Sequence, residues 1–366
     1  MERYLEFRVE SQFTEIKIES FLKRQAGLTR RQISQAKFRP DGITKNGTRC
    51  RVTESVSSGD VIRICLEEAD TASAHLEDFR IETRTEKITH SDTLLSDLNI
   101  LYEDDDLLAV NKHAGMVTHP TGMHYADSLS NLVAAYFRRK NKQVCVRPVG
   151  RLDQETSGIV IFAKNQVAAS KLQSPKSPSK IHKQYLAVVS GYLPTDFSDV
   201  WHTLDSPLMQ DPENHLKMKV ADRTCNGENK SLKNHSSCFS SSTAKIKTAI
   251  THYHTLFSSQ DWSLVTLRLE TGRTHQIRVH MASTGHPLLG DTLYQAYQEN
   301  TTAGKHLSDT KTVLGCKLDF QHLFQRAALH AWRVSFQHPF QQKLISLEAP
   351  LPEDFRNIIP KDLDID

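Results

Sequence analysis

Apolar positions near the start of the chain recur at helical spacing. Ile18, Phe21, Leu22 and Ala26 fall on one face within Glu15 to Lys37, and Gly27 is a natural helix stop. Thr29 is placed to cap a second short helix whose Ile33 and Ala36 turn inward. The pattern then shortens to alternating runs. Ile43-Thr44-Lys45 leads into an Asn46-Gly47 turn, Ser58-Gly59-Asp60 makes another, and Val61 to Leu66 alternates around Arg63. Residues 1–68 therefore read as a small α+β domain, a helix–turn–helix followed by a hairpin.

Residues 69–92 are polar and mixed in charge, without sustained periodicity, and read as a linker. A larger domain is expected over 93–360. Its strand candidates are Leu107–Asn111, Ile159–Ala163, Tyr185–Ser190, Leu264–Leu269 and Leu329–Phe336. They are β-branched or aromatic and separated by turn residues, which predicts an α+β fold on a mixed, mainly antiparallel sheet. Residues 221–245, rich in Ser, Lys and Asn, break the pattern and read as a surface insertion. There is no internal repeat.

Composition narrows the class. Hydrophobic residues make up 38% and charged residues 24% of 366, ordinary for a globular protein. No apolar run approaches the roughly 20 residues that span a bilayer. Met1 to Glu10 lacks a signal-peptide stretch, so a cytoplasmic location without membrane contact is expected. Cys50, Cys65, Cys145, Cys225, Cys238 and Cys316 form no C-x-x-C pair and read as free thiols. The net charge of +3 decides little, but its distribution is informative. From Lys23 to Arg51 nine basic residues face one acid, Asp41, and an acid-rich stretch follows. That asymmetry suits a nucleic-acid-facing module, although a solvated face would look similar.

Two stretches carry candidate chemistry. In the first, the polar loop Gly150-Arg151-Leu152-Asp153-Gln154-Glu155-Thr156-Ser157-Gly158 runs straight into Ile159-Val160-Ile161-Phe162. The hydroxyls of Thr156 and Ser157 are placed to bond the local backbone and orient Asp153, and Gly158 permits a tight strand entry. Alone, this displays a carboxylate and a guanidinium on a loop, which a structural turn with a surface ion pair explains as well. The second is Leu269-Glu270-Thr271-Gly272-Arg273-Thr274-His275-Gln276-Ile277-Arg278-Val279-His280-Met281. Thr274 reads as a helix cap and Gly285 as the stop, with Ile277 and Met281 facing the core and Arg278 about one turn in. Two arginines and a glutamine near a helix start suit an anion. His275 and His280 are five apart rather than four, and no carboxylate completes a set, so no metal is expected. His252 and His254 bracket a tyrosine and also lack obvious partners.

The motifs Arg-Leu-Asp-x-x-Thr-Ser-Gly at 151–158, Lys-x-Tyr at 183–185 and Gly-Arg-Thr-His-Gln-Ile-Arg at 272–278 resemble the RluA-type pseudouridine synthase family. Asn111-Lys112, Gly115 and His119-Pro120 precede them in the family's order. Gly285-His286-Pro287, Gly290-Asp291, Arg326 with Leu329-His330-Ala331, and His338-Pro339 follow. Two positions depart: Gly150 stands where many members have His, and His113 where members usually have Pro. The N-terminal stretch resembles the S-four-like RNA-binding domain through Phe21-Leu22, Gly27-Leu28-Thr29-Arg30-Arg31, Lys45-Asn46-Gly47 and Gly59-Asp60.

The resemblance implies a pseudouridine synthase fold, uridine isomerisation in structured RNA by base flipping, and no cofactor. Large-subunit ribosomal RNA is the expected partner, with transfer RNA an alternative. Asp153 is then the catalytic carboxylate. Burial favours a neutral carboxyl, so a neighbouring cation is needed, and Arg278 is expected to pair with Asp153. Tyr185 is expected to stack on the base and assist proton removal from carbon 5, and Arg151 to fill the gap left by the flipped uridine. Arg273, His275 and Gln276, with Lys23, Arg30, Arg31, Lys37 and Arg39 of the N-terminal domain, are expected to contact RNA. Leu152, Thr156 and Ile277 are expected to line the pocket. One rival is a non-catalytic RNA-binding protein on a retired scaffold, which predicts loss of Asp153, Tyr185 or Arg278; all three are present. The other is a hydrolase using Ser157, which lacks a Gly-x-Ser-x-Gly elbow.

Overall fold

Four short strands and two helices build the N-terminal unit of the computed structural model, which describes residues 3–66, 81–82, 87–88, 98–140, 144–174, 177–195, 200–221, 245–295, 324–363 and 365. The strands β1 (Tyr4–Arg8), β2 (Ile43–Lys45), β3 (Thr48–Arg49) and β4 (Val61–Cys65) lie in the order β1-β4-β2-β3. β2 and β3 meet across Asn46 and Gly47, whose φ of 51° and 78° are those of a tight hairpin turn. Helices α1 (Ile18–Gln25) and α2 (Arg30–Lys37) cover the sheet. Thr29 and Gln32 form a reciprocal capping box at the start of α2. Ile18, Phe21, Leu22 and Ile33 are buried against Ile62 and Ile64 of β4. β1 was not anticipated; its apolar–charged alternation suits an edge strand paired with β4.

The expected linker contains a two-residue ladder, β5 (Ile81–Glu82) with β6 (Lys87–Ile88). Of the expected 221–245 insertion, only its ends lie within the described residues.

The large sheet has ten strands: β7 (Ile100–Glu103), β8 (Leu107–Lys112), β9 (Arg147–Val149), β10 (Ser157–Ala163), β11 (His182–Ser190), β12 (His202–Leu204), β15 (Thr251–Ser258), β16 (Trp262–Leu269), β17 (Leu329–Gln337) and β18 (Leu344–Glu348). A separate ladder joins β13 (Leu208–Gln210) to β14 (Met218–Val220). All five anticipated strands are present. The pairs are antiparallel except β10 with β17, where Ser157 lies opposite His330 and Gly158 opposite Ala331. Gly158 has φ +109°, and a Cβ there would lie 2.2 Å from the Ala331 carbonyl oxygen, so only glycine allows this close approach.

β10 is buried along its whole length because both faces are covered. Val160 and Phe162 join one core with Leu132 and Phe137 of α3 (Leu129–Arg139). Ile159, Ile161 and Ala163 join another with Ala168 and Leu172 of α4 (Gln166–Gln173). The first core also holds Tyr185 and Ala187 of β11, and Ile277 and Met281 of α5 (Gln276–Ser283). Behind β11 and β16, Trp332 and Phe355 of α6 (Glu353–Ile358) form a third core. Thus α5, the start of β11 and the loop into β10 meet on one face.

The N-terminal unit is seated on the larger domain. Val167 of α4 belongs to the N-terminal core, and Phe340 packs against that core and the α4 core alike. Arg3 donates from Nε and Nη2 to the two oxygens of buried Asp106, at 3.1 and 2.8 Å.

Candidate active site

The loop carrying Asp153 is held by its backbone. Thr156 N–H donates to the Asp153 carbonyl (3.1 Å), while Leu152 N–H donates to Thr118 Oγ1 (3.1 Å), which is 2.9 Å from the Leu152 carbonyl. Gly115 N–H donates to the Gln154 carbonyl. Buried Lys112 donates to the carbonyls of His113, Met116 and Gln154 at 2.9, 2.8 and 3.1 Å. Burial, helped by the charge of Arg326 and opposed by Asp153, pushes its ammonium down to about 7. This clamp gives the His113 loop a fixed geometry without the family's proline. On the far side, Arg326 donates to the Glu155 carbonyl at 3.1 Å.

The expected anchoring by Thr156 and Ser157 hydroxyls is replaced by this backbone clamp. Ser157 Oγ lies 2.8 Å from His330 Nδ1, and both residues are buried. Ser157 does not line the cleft, which removes the geometric basis for a serine hydrolase. The Asp153 carboxylate, half-buried, makes no hydrogen bond or ion pair among the described residues.

Asp153 opens onto a cleft of about 420 Å³, whose wall includes Arg151, Leu152, Thr156, Tyr185, Arg273, His275, Gln276, Ile277 and Arg278. The structure therefore gathers all the expected catalytic and pocket residues. Tyr185 is buried on β11; burial first, and the charge of Asp153 second, raise its phenol well above the ordinary tyrosine range. Its hydroxyl stays protonated in the free protein. Arg151 is exposed at the mouth, and Arg273 donates from Nε to the Thr248 carbonyl at 3.0 Å.

Arg278 differs from expectation. Its Nε and Nη2 each reach a carboxylate oxygen of Asp291 at 2.7 Å, and Nη2 lies 3.2 Å from Glu155. It makes no direct pair with Asp153, which acts on it only as a nearby charge. Burial works against the guanidinium, yet its bonds to Asp291 outweigh this and raise its pKa. Gly290-Asp291 stands among the family-like motifs, with no partner assigned to it from the sequence.

The turn into α5 also departs from expectation. The helix begins at Gln276, and the residue before it is His275 with left-handed φ of 54°, so Thr274 does not cap it. That conformation is costly for a non-glycine residue and is held here by side-chain bonding. Tyr294 OH accepts the Met218 N–H (2.9 Å), so its own proton is available to His275 Nδ1 at 2.9 Å. When Tyr294 donates in this way, the proton of the neutral imidazole is on Nε2. Burial is the main influence that lowers the His275 pKa and keeps the ring neutral. Gln276, expected to face RNA, is buried and committed internally. Its oxygen accepts from Arg273 N–H and Thr271 Oγ1, and its amide donates to Ile250 and Thr251. It positions the helix start instead.

Three other histidines, His252, His254 and His280, have protein partners, that of His254 being the Val200 carbonyl. His280 bonds Thr251 and the Ser206 carbonyl, and His252 pairs with Glu270. Asp104, Asp106 and His338 cluster, but Arg3 and Asn165 take the Asp106 oxygens and Tyr102 donates to Asp104. On the N-terminal unit, Arg30 and Arg31 border a shallow depression with Ser34, Gln35 and the 76% exposed Phe38, over which Lys37 Nζ sits at 4.8 Å. Lys23 is paired with Glu19 (2.6 Å) on the exposed face of α1, and Arg39 reaches Cys65 Sγ (3.5 Å).

A model of the RNA pseudouridylate synthase family matches residues 106–283. An uncharacterized RNA pseudouridine synthase of Bacillus subtilis, YhcT, is 33% identical over 305 residues, covering 83% of this chain and 79% of that protein. Ribosomal large subunit pseudouridine synthase D of Xanthomonas campestris is 33% identical over 319 residues, covering 85% and 84%. Among solved structures, human RNA Pseudouridylate Synthase Domain Containing 4 shares the fold with TM-score 0.50 and 24% identity, over 73% of this chain and 94% of that one.

Proposed function

This chain belongs to the RNA pseudouridylate synthase family, and we propose that Asp153 carries its reaction on large-subunit ribosomal RNA. It is an RNA pseudouridine synthase, an isomerase that converts uridine to pseudouridine. The N1–C1′ bond of a flipped uridine breaks with its electron pair on the base. The base turns, carbon 5 bonds C1′, and carbon 5 loses a proton while N1 gains one. Atoms and oxidation state balance, so no redox cofactor enters.

One observation carries the assignment of Asp153: its carboxylate is without hydrogen bond or ion pair among the described residues, yet faces the cleft shared with Tyr185 and Arg278. A nucleophilic or charge-stabilising carboxylate requires that availability. Arg278, fixed by Asp291, supplies positive potential to Asp153. Tyr185 offers an aromatic face to the base and a protonated hydroxyl. Arg151 at the mouth fills the RNA stack when the base leaves it. Neutral His275 presents its Nε2 proton to the RNA, with Arg273 beside it. Ribosomal RNA is favoured over transfer RNA because several relatives bear the name ribosomal large subunit pseudouridine synthase D. Among the described residues no helix is long and apolar enough to cross a membrane, and we place the enzyme with its substrate in the cytoplasm.

The test is pseudouridine mapping of total RNA, by carbodiimide-dependent stops, from cells with and without this gene. A mark in large-subunit ribosomal RNA should vanish without the gene and return with wild type but not with Asp153→Asn, while that variant still binds RNA. Substantial activity in Asp153→Asn would overturn the assignment, and a lost mark confined to transfer RNA would overturn the substrate.

A further inference from the structure

The cleft contains an ammonium to which the reaction above gives no part. Lys183 and Tyr185 lie two apart on β11, so both side chains leave the same face, separated by roughly 7 Å along the strand. Lys183 lines the cleft beside Gly150, Arg151 and Tyr185. Three other lysines of low exposure are occupied: Lys112 on three carbonyls, Lys164 on Glu103, and Lys171 on the Pro339 carbonyl. Lys183 has no hydrogen bond or ion pair among the described residues. Gly150 is its neighbour on the cleft wall, where a Cβ would lie in ordinary contact 3.6 Å from Nζ.

Burial alone pushes the Lys183 ammonium down to about 8, with no neighbouring carboxylate raising it. A partly buried cation with no counter-charge sits in a poorly solvated place that an anionic ligand would relieve. A compact ammonium suits a phosphate oxygen better than a neutral uracil carbonyl.

We propose that Lys183 is an RNA-backbone binding residue, taking a phosphate oxygen next to the nucleotide whose base lies against Tyr185. The inference rests on the reading of this cleft as the uridine site. Backbone contact there holds the flipped nucleotide at the strand's entrance while Tyr185 holds its base.

The test measures the affinity of full-length protein for a ten-nucleotide oligouridylate from 50 to 300 mM salt. The protein carries Asp153→Asn so that no turnover intervenes. Each phosphate contact on a single strand contributes about 0.7 to the slope of log affinity against log salt. Lys183→Met should lower the slope by about that amount and Lys183→Arg should keep it. If Lys183→Met melts early, Lys183→Gln is read in its place and must show the same loss. Binding with an unchanged slope in the neutral variant overturns this inference alone. Absence of any binding by the Lys183-containing protein overturns it together with the RNA-cleft reading.

Discussion

Arg278 is a buried cation shared between two carboxylates, Asp291 and Glu155, whereas Asp153 nearby makes no ion pair among the described residues. The arrangement holds the guanidinium still and leaves the Asp153 carboxylate accessible. Removing one charge from such a pair leaves the other unpaired in a poorly solvated place, which costs about 3–5 kcal/mol. Asp291→Asn preserves shape and removes the charge. It should therefore lower stability to urea by an amount near the bottom of that range, because Glu155 remains. Turnover should fall at least tenfold as Arg278 shifts toward the remaining acids, Asp153 included. Single-turnover kinetics beside equilibrium unfolding distinguish the two effects. Wild-type turnover in a destabilised protein would mean that Asp291 serves folding alone.

At the scale of elements, Glu103 at the end of β7 ties three pieces together. It accepts from Lys164 just beyond β10 (2.8 Å), and from Tyr136 at the C-terminal half of α3 and Lys140 just after it. Burial alone would raise the Glu103 carboxyl, but these three donors outweigh it and hold it at about 2. A lowered carboxyl pKa stabilises the fold above the unfolded value near 4.3, and that contribution drains away as pH falls toward 2. Glu103→Gln should be less stable than wild type by about 1–2 kcal/mol at pH 7. The gap should narrow between pH 5 and pH 3, as read from urea midpoints; a gap independent of pH would show that the charge is not what Glu103 contributes. The five strand cores and both N-terminal helices were legible in the sequence because their periodicity is local. Arg151, Asp153, Tyr185 and Arg278 were legible because each sits in a short contiguous motif. Three-residue strands such as β12 and β13 were not, since pairing partners rather than their own residues define them. The Lys112 clamp on Gln154 spans 42 positions and the Arg278–Asp291 pair 13; spacing along the chain encodes neither. Gln276 was misread because its amide looks the same in sequence whether it faces RNA or its own backbone.

For the whole molecule, the seating of the N-terminal unit turns two basic surfaces into one fixed arrangement. Val167 and Phe340 bury apolar area against it, and the two bonds from Arg3 to Asp106 fix its orientation. That seat holds α2, with Arg30, Arg31 and Lys37 exposed, in a fixed place relative to the cleft, and we propose that these three meet RNA. Deleting residues 1–68 would test this poorly, because it bares Val167 and Phe340 and leaves Asp106 without its arginine. Replacing Arg30, Arg31 and Lys37 together with Gln keeps the seat intact. If each meets one phosphate of a single strand, the salt slope should fall by about 2 in all, and affinity at low salt should drop with it. A melting temperature equal to wild type would assign the whole effect to the RNA surface. An unchanged slope would mean that these three face solvent only, and that the N-terminal unit supports the catalytic domain through its seat rather than through RNA.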